Sequence, residues 1–298
     1  MPRPPPPLST PVFILVPGAS QSPAHYDLLM HLLLTRGHPV YSAILPSTGP
    51  GNAKNVTAQV DAEYVREHML LPILDTEGHD VVMVMHSYRC FEETRGKKAT
   101  EYVDHRGREM NKKADTNSPQ KRYPRQRRRI RTRQKRSRSS GKKTSVLGQI
   151  YIASLLVKGG DGGNIVDALG GLLPPHITPD EPSGILTCAD PGPPLYSDVT
   201  PIVFQNAIVN STLCPSYASW HSPCPRASWD QESFKGKIAF IRTLNDTGIP
   251  LQFQDMFMQN TGEEWIVKDM NTGHSPQLGQ PERVCDVLIE LARGFGGV

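Results

Sequence analysis

The chain has 298 residues, room for one large core or two ordinary domains. Its formal charge of +4 combines 33 basic and 29 acidic residues, and residues 89 to 143 alone hold 21 of the basic and 6 of the acidic ones, a local +15 that leaves −11 elsewhere. That separation excludes a chain-wide basic nucleic-acid binder, and the lack of any heptad, triplet or longer period excludes a coiled coil, a collagen-like chain and a repeat array.

The first eleven residues form a proline-rich leader, Pro4 to Pro7 included, without the continuous apolar stretch of a secretory signal. No apolar run approaches the roughly 18 residues that a membrane span needs. Five widely spaced cysteines with no CxxC pair predict reduced thiols, a cytoplasmic chain and no bound metal. From Pro11 to Val16 a short apolar run rich in β-branched residues predicts a strand buried on both faces. Ser22-Pro23 then offers a helix start, Leu28, Leu29, Leu32 and Leu33 a helical stripe, and Gly37 a stop.

The alternation continues with a strand over 39–45 and a helix over 56–74, in which Val60, Tyr64, Met69 and Ile73 share a face and Pro72 is a candidate kink or end. Further strands are predicted over 80–85, 150–157, 238–244 and 265–267, and an amphipathic helix over 281–292 turns Val284, Leu288 and Leu291 inward. Strands alternating with helices predict an α/β fold, a mostly parallel sheet with helices on both faces. Residues 12–88 and 144–298 would form this domain.

Two regions break the rhythm. Residues 158–235 are rich in Gly and Pro, with a short helix expected over 165–173; an excursion of that length after a strand reads as a lid over a binding site. Residues 89–143 have no sustained apolar period and a high positive charge, which predicts disorder. Only Tyr102 and Tyr123 interleave the positive charge, too few for a base-stacking platform. Nucleic acid is therefore expected as a partner only through residues 95–143, and a nuclear location only if that segment is an addressing signal.

Ser87 stands directly after the strand over 80–85, where a sharp turn could lift its hydroxyl clear of the sheet and aim the next backbone N–H at an oxyanion. Asp246 follows the strand over 238–244, and His274 follows the one over 265–267. The order Ser, Asp, His, each beyond a strand's carboxyl end, is that of an α/β nucleophile, acid and base. Asp255 and Asp269 are rival acids. His86 reads as a packed turn residue, and His25, His176 and His221 lack metal-ligand spacing.

The blocks Val16-Pro17-Gly18-Ala19, His86-Ser87-Tyr88, Asn245 to Pro250 and Gly273-His274-Ser275-Pro276 resemble the α/β-hydrolase superfamily. Within it they are similar to the small single-domain branch of plant methylesterases and hydroxynitrile lyases with their microbial relatives. The resemblance implies a catalytic triad of Ser87, His274 and Asp246, an oxyanion hole from the backbone N–H groups of Ala19 and Tyr88, no cofactor or metal, and a small-molecule ester substrate. The plant lyases place a lysine directly after the base histidine; Ser275 stands there, which favours hydrolysis over cyanohydrin cleavage.

The sequence departs from the family at the flanks of the serine, where Met85 and Arg89 replace small residues. A large side chain in that close-packed turn typically costs about 1 to 3 kcal/mol. The resemblance stops within this motif and resumes near Val146, an interruption that points to translated non-coding or frame-shifted sequence over 89–143 and to an impaired site. A catalytically inactive scaffold carrying a basic nuclear-targeting or RNA-binding arm is the competing reading.

Overall fold

A computed structural model describes residues 10–49, 53–89 and 144–296, with Arg89 described by its backbone alone. Most of the proline-rich leader and the basic segment beyond Arg89, for which disorder was expected, lie outside the described residues. In chain order the elements are β1 (Val12–Val16), α1 (Asp27–Thr35), β2 (Val40–Ser42), α2 (Ala58–Tyr64), β3 (Val81–Arg89) and β4 (Val146–Leu156). Between β4 and the next sheet strand come α3 (Ile165–Ala168), a hairpin of β5 (Thr178–Asp180) and β6 (Ile185–Thr187), α4 (Gly192–Tyr196), α5 (Ile202–Asn210) and α6 (Tyr217–His221). The chain closes with β7 (Ile238–Thr243), α7 (Leu251–Thr261), β8 (Ile266–Met270), α8 (Pro276–Gly279) and α9 (Pro281–Gly294).

Six strands form one sheet in the order β2-β1-β3-β4-β7-β8, with every neighbouring pair parallel. The carboxyl ends of β3, β7 and β8 therefore share an edge, where a parallel α/β sheet builds its sites. Alternate residues divide the core: Phe13, Leu15, Val82, Val84, Ile150 and Ile152 face Leu29 and Leu33 of α1 and Val284, Leu288 and Leu291 of α9. Ile14, Met83, Met85 and Tyr151 face the opposite way, against Met69, Ile73, Phe257 and the excursion's Trp220 and Trp229. Burial on both faces is why these strands read as unbroken apolar runs.

Pro72 does not end the second helix. After Tyr64 the helix widens into π turns over Val65–Leu70 and Pro72–Glu77, and Gly78 ends it in the left-handed region (φ 76°). A π turn takes more residues per revolution, so the apolar stripe slips in phase. Val60, expected inward, is exposed, and Asp61 is buried instead, accepting from the Ser47 N–H at 2.9 Å. The helix expected over 165–173 stops at Ala168 because Gly170 and Gly171 adopt φ 84° and 86°. Reduced thiols are found at Cys188, Cys214 and Cys285, but Cys224 is disulfide-bonded.

Candidate active site

β3 does not turn into a helix after the serine, as the elbow motif predicts. It runs on to Arg89 beside β4, and its ladder slips between His86, opposite Ile152, and Tyr88, opposite Leu155. At the slip Ser87 adopts φ 60° and, across from it, Ala153 adopts φ 44°. Non-glycine residues visit that region at a cost of about 1 kcal/mol or more, so surrounding contacts must hold Ser87 there. One such contact is the Ser154 hydroxyl, which donates to the Ser87 carbonyl at 2.8 Å. Gly18 packs close by: a Cβ there would lie 3.2 Å from Ser87 Cβ and 3.3 Å from His86 Nδ1, tighter than an ordinary contact, so glycine eases the approach of the turn after β1.

His274 stands in the loop between β8 and α8, with Nε2 2.9 Å from Ser87 Oγ and Nδ1 2.8 Å from Asp246 Oδ2. A carboxylate only accepts, so the neutral ring carries its proton on Nδ1 and turns the Nε2 lone pair to the serine hydroxyl. Asp246 is itself fixed from three sides: Thr243 Oγ1 donates to Oδ2, and the Gly248 and Ile249 N–H groups to Oδ1, each at 2.8 Å. Burial alone would push its carboxyl up, but the His274 charge and these hydrogen bonds outweigh it and hold the acid below its ordinary range. The rival acids are committed elsewhere: Asp255 and Asp269 both bind Arg242, at 2.8 Å and at 2.7 and 2.9 Å.

Ser87 and His274 open onto a cavity of about 450 Å³ whose walls include Leu155, Leu173, Trp220, Ile249 and Phe257. Among the described residues no Lys, Arg, Asp or Glu lines it. Ala19 lines the cavity beside the serine. Tyr88 packs beneath, its ring stacked on Trp220 at 5.5 Å and its hydroxyl donating to the Ser219 carbonyl at 2.6 Å. Among the described residues no group of three His, Cys, Asp or Glu side chains could hold a metal ion, and no helix is long and apolar enough to cross a membrane.

Solved structures share this arrangement of strands and helices. A pyrethroid hydrolase from Sphingobium faniae JZ-2 superposes with a TM-score of 0.60 at 16% identity, over 95% of this chain and 97% of that one. Polyneuridine aldehyde esterase gives 0.63 at 15% identity (95% and 99%), and a methylesterase, MES16 from Arabidopsis, 0.58 at 14% (95% and 99%). The chain has the α/β-hydrolase fold. No family model and no curated protein matches its sequence.

Two groups around the site of this hydrolase fold escaped the sequence analysis. Asp198, in the excursion, accepts from the Gly273 N–H at 2.8 Å and from the Thr272 hydroxyl, holding the loop that carries His274. Gln21, Tyr26 and His86 form a buried hydrogen-bonded cluster beneath the serine. No local signal marks either group, because Asp198 reaches Gly273 and the Gln21–Tyr26 pair reaches His86, partners 60 or more positions away in sequence.

Proposed function

We propose that the protein is a serine hydrolase of small, uncharged carboxylic esters, working through an acyl-enzyme on Ser87. The observation that carries this reading is the continuous hydrogen-bonded chain from Ser87 Oγ through His274 to Asp246, opening on an apolar cavity. Ser87 Oγ attacks the acyl carbon while His274 Nε2 takes its proton, and Asp246 steadies the imidazolium that results. The backbone N–H groups of Ala19 and Tyr88 receive the oxyanion. His274 then protonates the departing alkoxide, and water repeats the sequence to release the acid. No step calls on a metal or organic cofactor.

The names of the structural neighbours, a pyrethroid hydrolase, an aldehyde esterase and a methylesterase, support an ester as the substrate. Cyanohydrin cleavage is less well supported, since Ser275 is buried and bound to Gln21 at 3.0 Å and no Lys or Arg among the described residues lines the cavity to hold cyanide. A fluorophosphonate should label wild type at Ser87, and hydrolysis of p-nitrophenyl butyrate should fall by about 10³-fold or more in Ser87→Ala. Hydrolysis that survives in that variant would defeat the reading. The competing reading, an inactive scaffold with a basic nucleic-acid-binding arm, rests on the charge of +15 over residues 89–143 and predicts a salt-sensitive nucleic-acid affinity that deletion of residues 95–143 abolishes.

A further inference from the structure

The polar cluster under Ser87 joins three segments that the proposed reaction must keep in register: the turn after β1, the end of β3 and the His274 loop. Tyr26 is its hub. The Gly18 N–H donates to Tyr26 Oη at 3.1 Å, and the same oxygen lies 2.7 Å from His86 Nδ1 and 2.5 Å from the Gln21 carboxamide. His86 reaches on with Nε2, 2.8 Å from the main-chain carbonyl of His274. The Gln21 carboxamide also meets Ser275 Oγ at 3.0 Å and the Gln277 carboxamide at 3.3 Å. Gln21, Tyr26, His86, Ser275 and Gln277 are all buried, with the His86 and His274 rings 5.1 Å apart.

Proton accounting selects one arrangement. A carbonyl only accepts, so His86 Nε2 carries a hydrogen, and in the neutral ring Nδ1 must then accept. Tyr26 has a single proton, which goes to Nδ1. With His86 neutral, the Gln21 carboxamide then turns its NH₂ toward Tyr26 Oη and its oxygen toward the Ser275 hydroxyl, the reverse of the orientation in which Tyr26 donates to Gln21 Oε1 and Gln21 Nε2 donates to Ser275. Turning Gln277 in the same sense gives its Oε1, which has no hydrogen-bond partner among the described residues, the Gln21 NH₂. Every group is then paired without placing a charge beside His274.

We propose that Tyr26 and His86 are positioning residues: the Tyr26 hydroxyl fixes His86 in its Nε2–H form, and that N–H clamps the His274 main chain so that the His274 ring meets Ser87. The proposal rests on the esterase reading for its kinetic consequence, but the clamp itself does not. Tyr26 does not line the cavity, and His86, which does, has both ring nitrogens engaged within the cluster. Both act through the placement of the base, where a displacement of the order of 1 Å can cost about 10²-fold in rate.

The test uses the full chain. Tyr26→Phe removes one oxygen, His86→Asn keeps a donor only near the Nδ1 position, and His86→Gln carries its amide nitrogen out to where Nε2 stood. On p-nitrophenyl butyrate, kcat should fall about 10- to 100-fold in Tyr26→Phe and His86→Asn with KM within twofold of wild type, and His86→Gln should recover much of the loss. Histidine ¹⁵N spectra of the wild type should show His86 protonated on Nε2 and accepting at Nδ1. A kcat within twofold of wild type in either damaging variant, a His86→Gln no better than His86→Asn, or an Nδ1–H form of His86 would each overturn the proposal. If Tyr26→Phe fails to fold, the His86 pair and the wild-type spectrum still decide. Failure of the esterase reading looks different: wild type itself neither reacts with fluorophosphonate nor turns over ester, while the spectrum still reports on the clamp.

Discussion

At Ser87 a φ of 60° and a hydrogen bond to His274 occur in the same residue, so the strain and the candidate chemistry share one address. Replacing Asp246 by Asn keeps the size of the side chain but offers Nδ1 a donor or a weaker acceptor, freeing the ring to adopt the wrong tautomer. We expect kcat to drop by about 10³- to 10⁴-fold, with hydrolysis of p-nitrophenyl butyrate as the measurement. His25 belongs to stability instead. It is buried against Tyr196, and that burial pulls its pKa below the ordinary histidine value, only partly opposed by the Ser22 backbone and Asp27. Below a pH of about 6.5 the unfolded chain binds a proton at His25 that the folded chain refuses, so stability present above that pH is lost as pH falls toward the depressed folded value. The Tm should therefore fall between pH 7.5 and 5 by less in His25→Gln than in wild type; parallel curves would refute the assignment. Asp246, held below its ordinary range, adds stability that is fully present above a pH of about 3.9 and is lost only in stronger acid.

Among the elements, β4 shows how one glycine sets the distance between sheet and helix. A Cβ on Gly148 would lie 2.3 Å from the Phe295 ring, which follows α9 and packs on that face of the sheet. Gly148→Ala should therefore cost about 1 to 3 kcal/mol, measured by urea unfolding. Combined with Phe295→Ala, the two losses should add to less than their sum, because removing the ring removes the overlap; full additivity would show that the ring is not what Gly148 accommodates. The π turns after α2 work differently. They carry the helix past Pro72, which has no N–H to give, at the cost of the helical phase that a regular pattern would have kept.

Taken whole, the molecule spends its excursion between β4 and β7 on the cavity. Leu169, Leu172, Leu173, Pro174 and Ile177 from this stretch line it together with Ile249 and Phe257, which follow β7. A carboxylate placed among them would meet no Lys or Arg among the described residues, and an unpaired buried charge costs several kcal/mol. The p-nitrophenyl monoester of succinic acid should therefore show a kcat/KM about 100-fold or more below that of the butyrate ester of the same length. Comparable values for the two would show that the acyl group sits in water, outside this cavity.

The sheet was legible from sequence because each central strand is buried on both faces and must be apolar throughout, and because helix stripes such as Val284, Leu288 and Leu291 keep one phase. The order of Ser87, Asp246 and His274 was legible for a related reason: Asp246 and His274 each follow a strand and Ser87 lies near the carboxyl end of one, and parallel strands bring those ends to one edge. Chain-local pattern could not show the slipped ladder that holds Ser87 at φ 60°, since the slip is made by Ala153 and Ser154 on the neighbouring strand. Nor could it show the Tyr26 cluster, the Asp198 support of the His274 loop or the cavity, which join residues as far as 256 positions apart. Local sequence determines which segments must be buried and in what order they meet the sheet edge, because burial is a property of single residues and their period. Which polar groups then satisfy one another inside that edge was decided only by the tertiary structure, because a hydrogen bond depends on where the partner arrives.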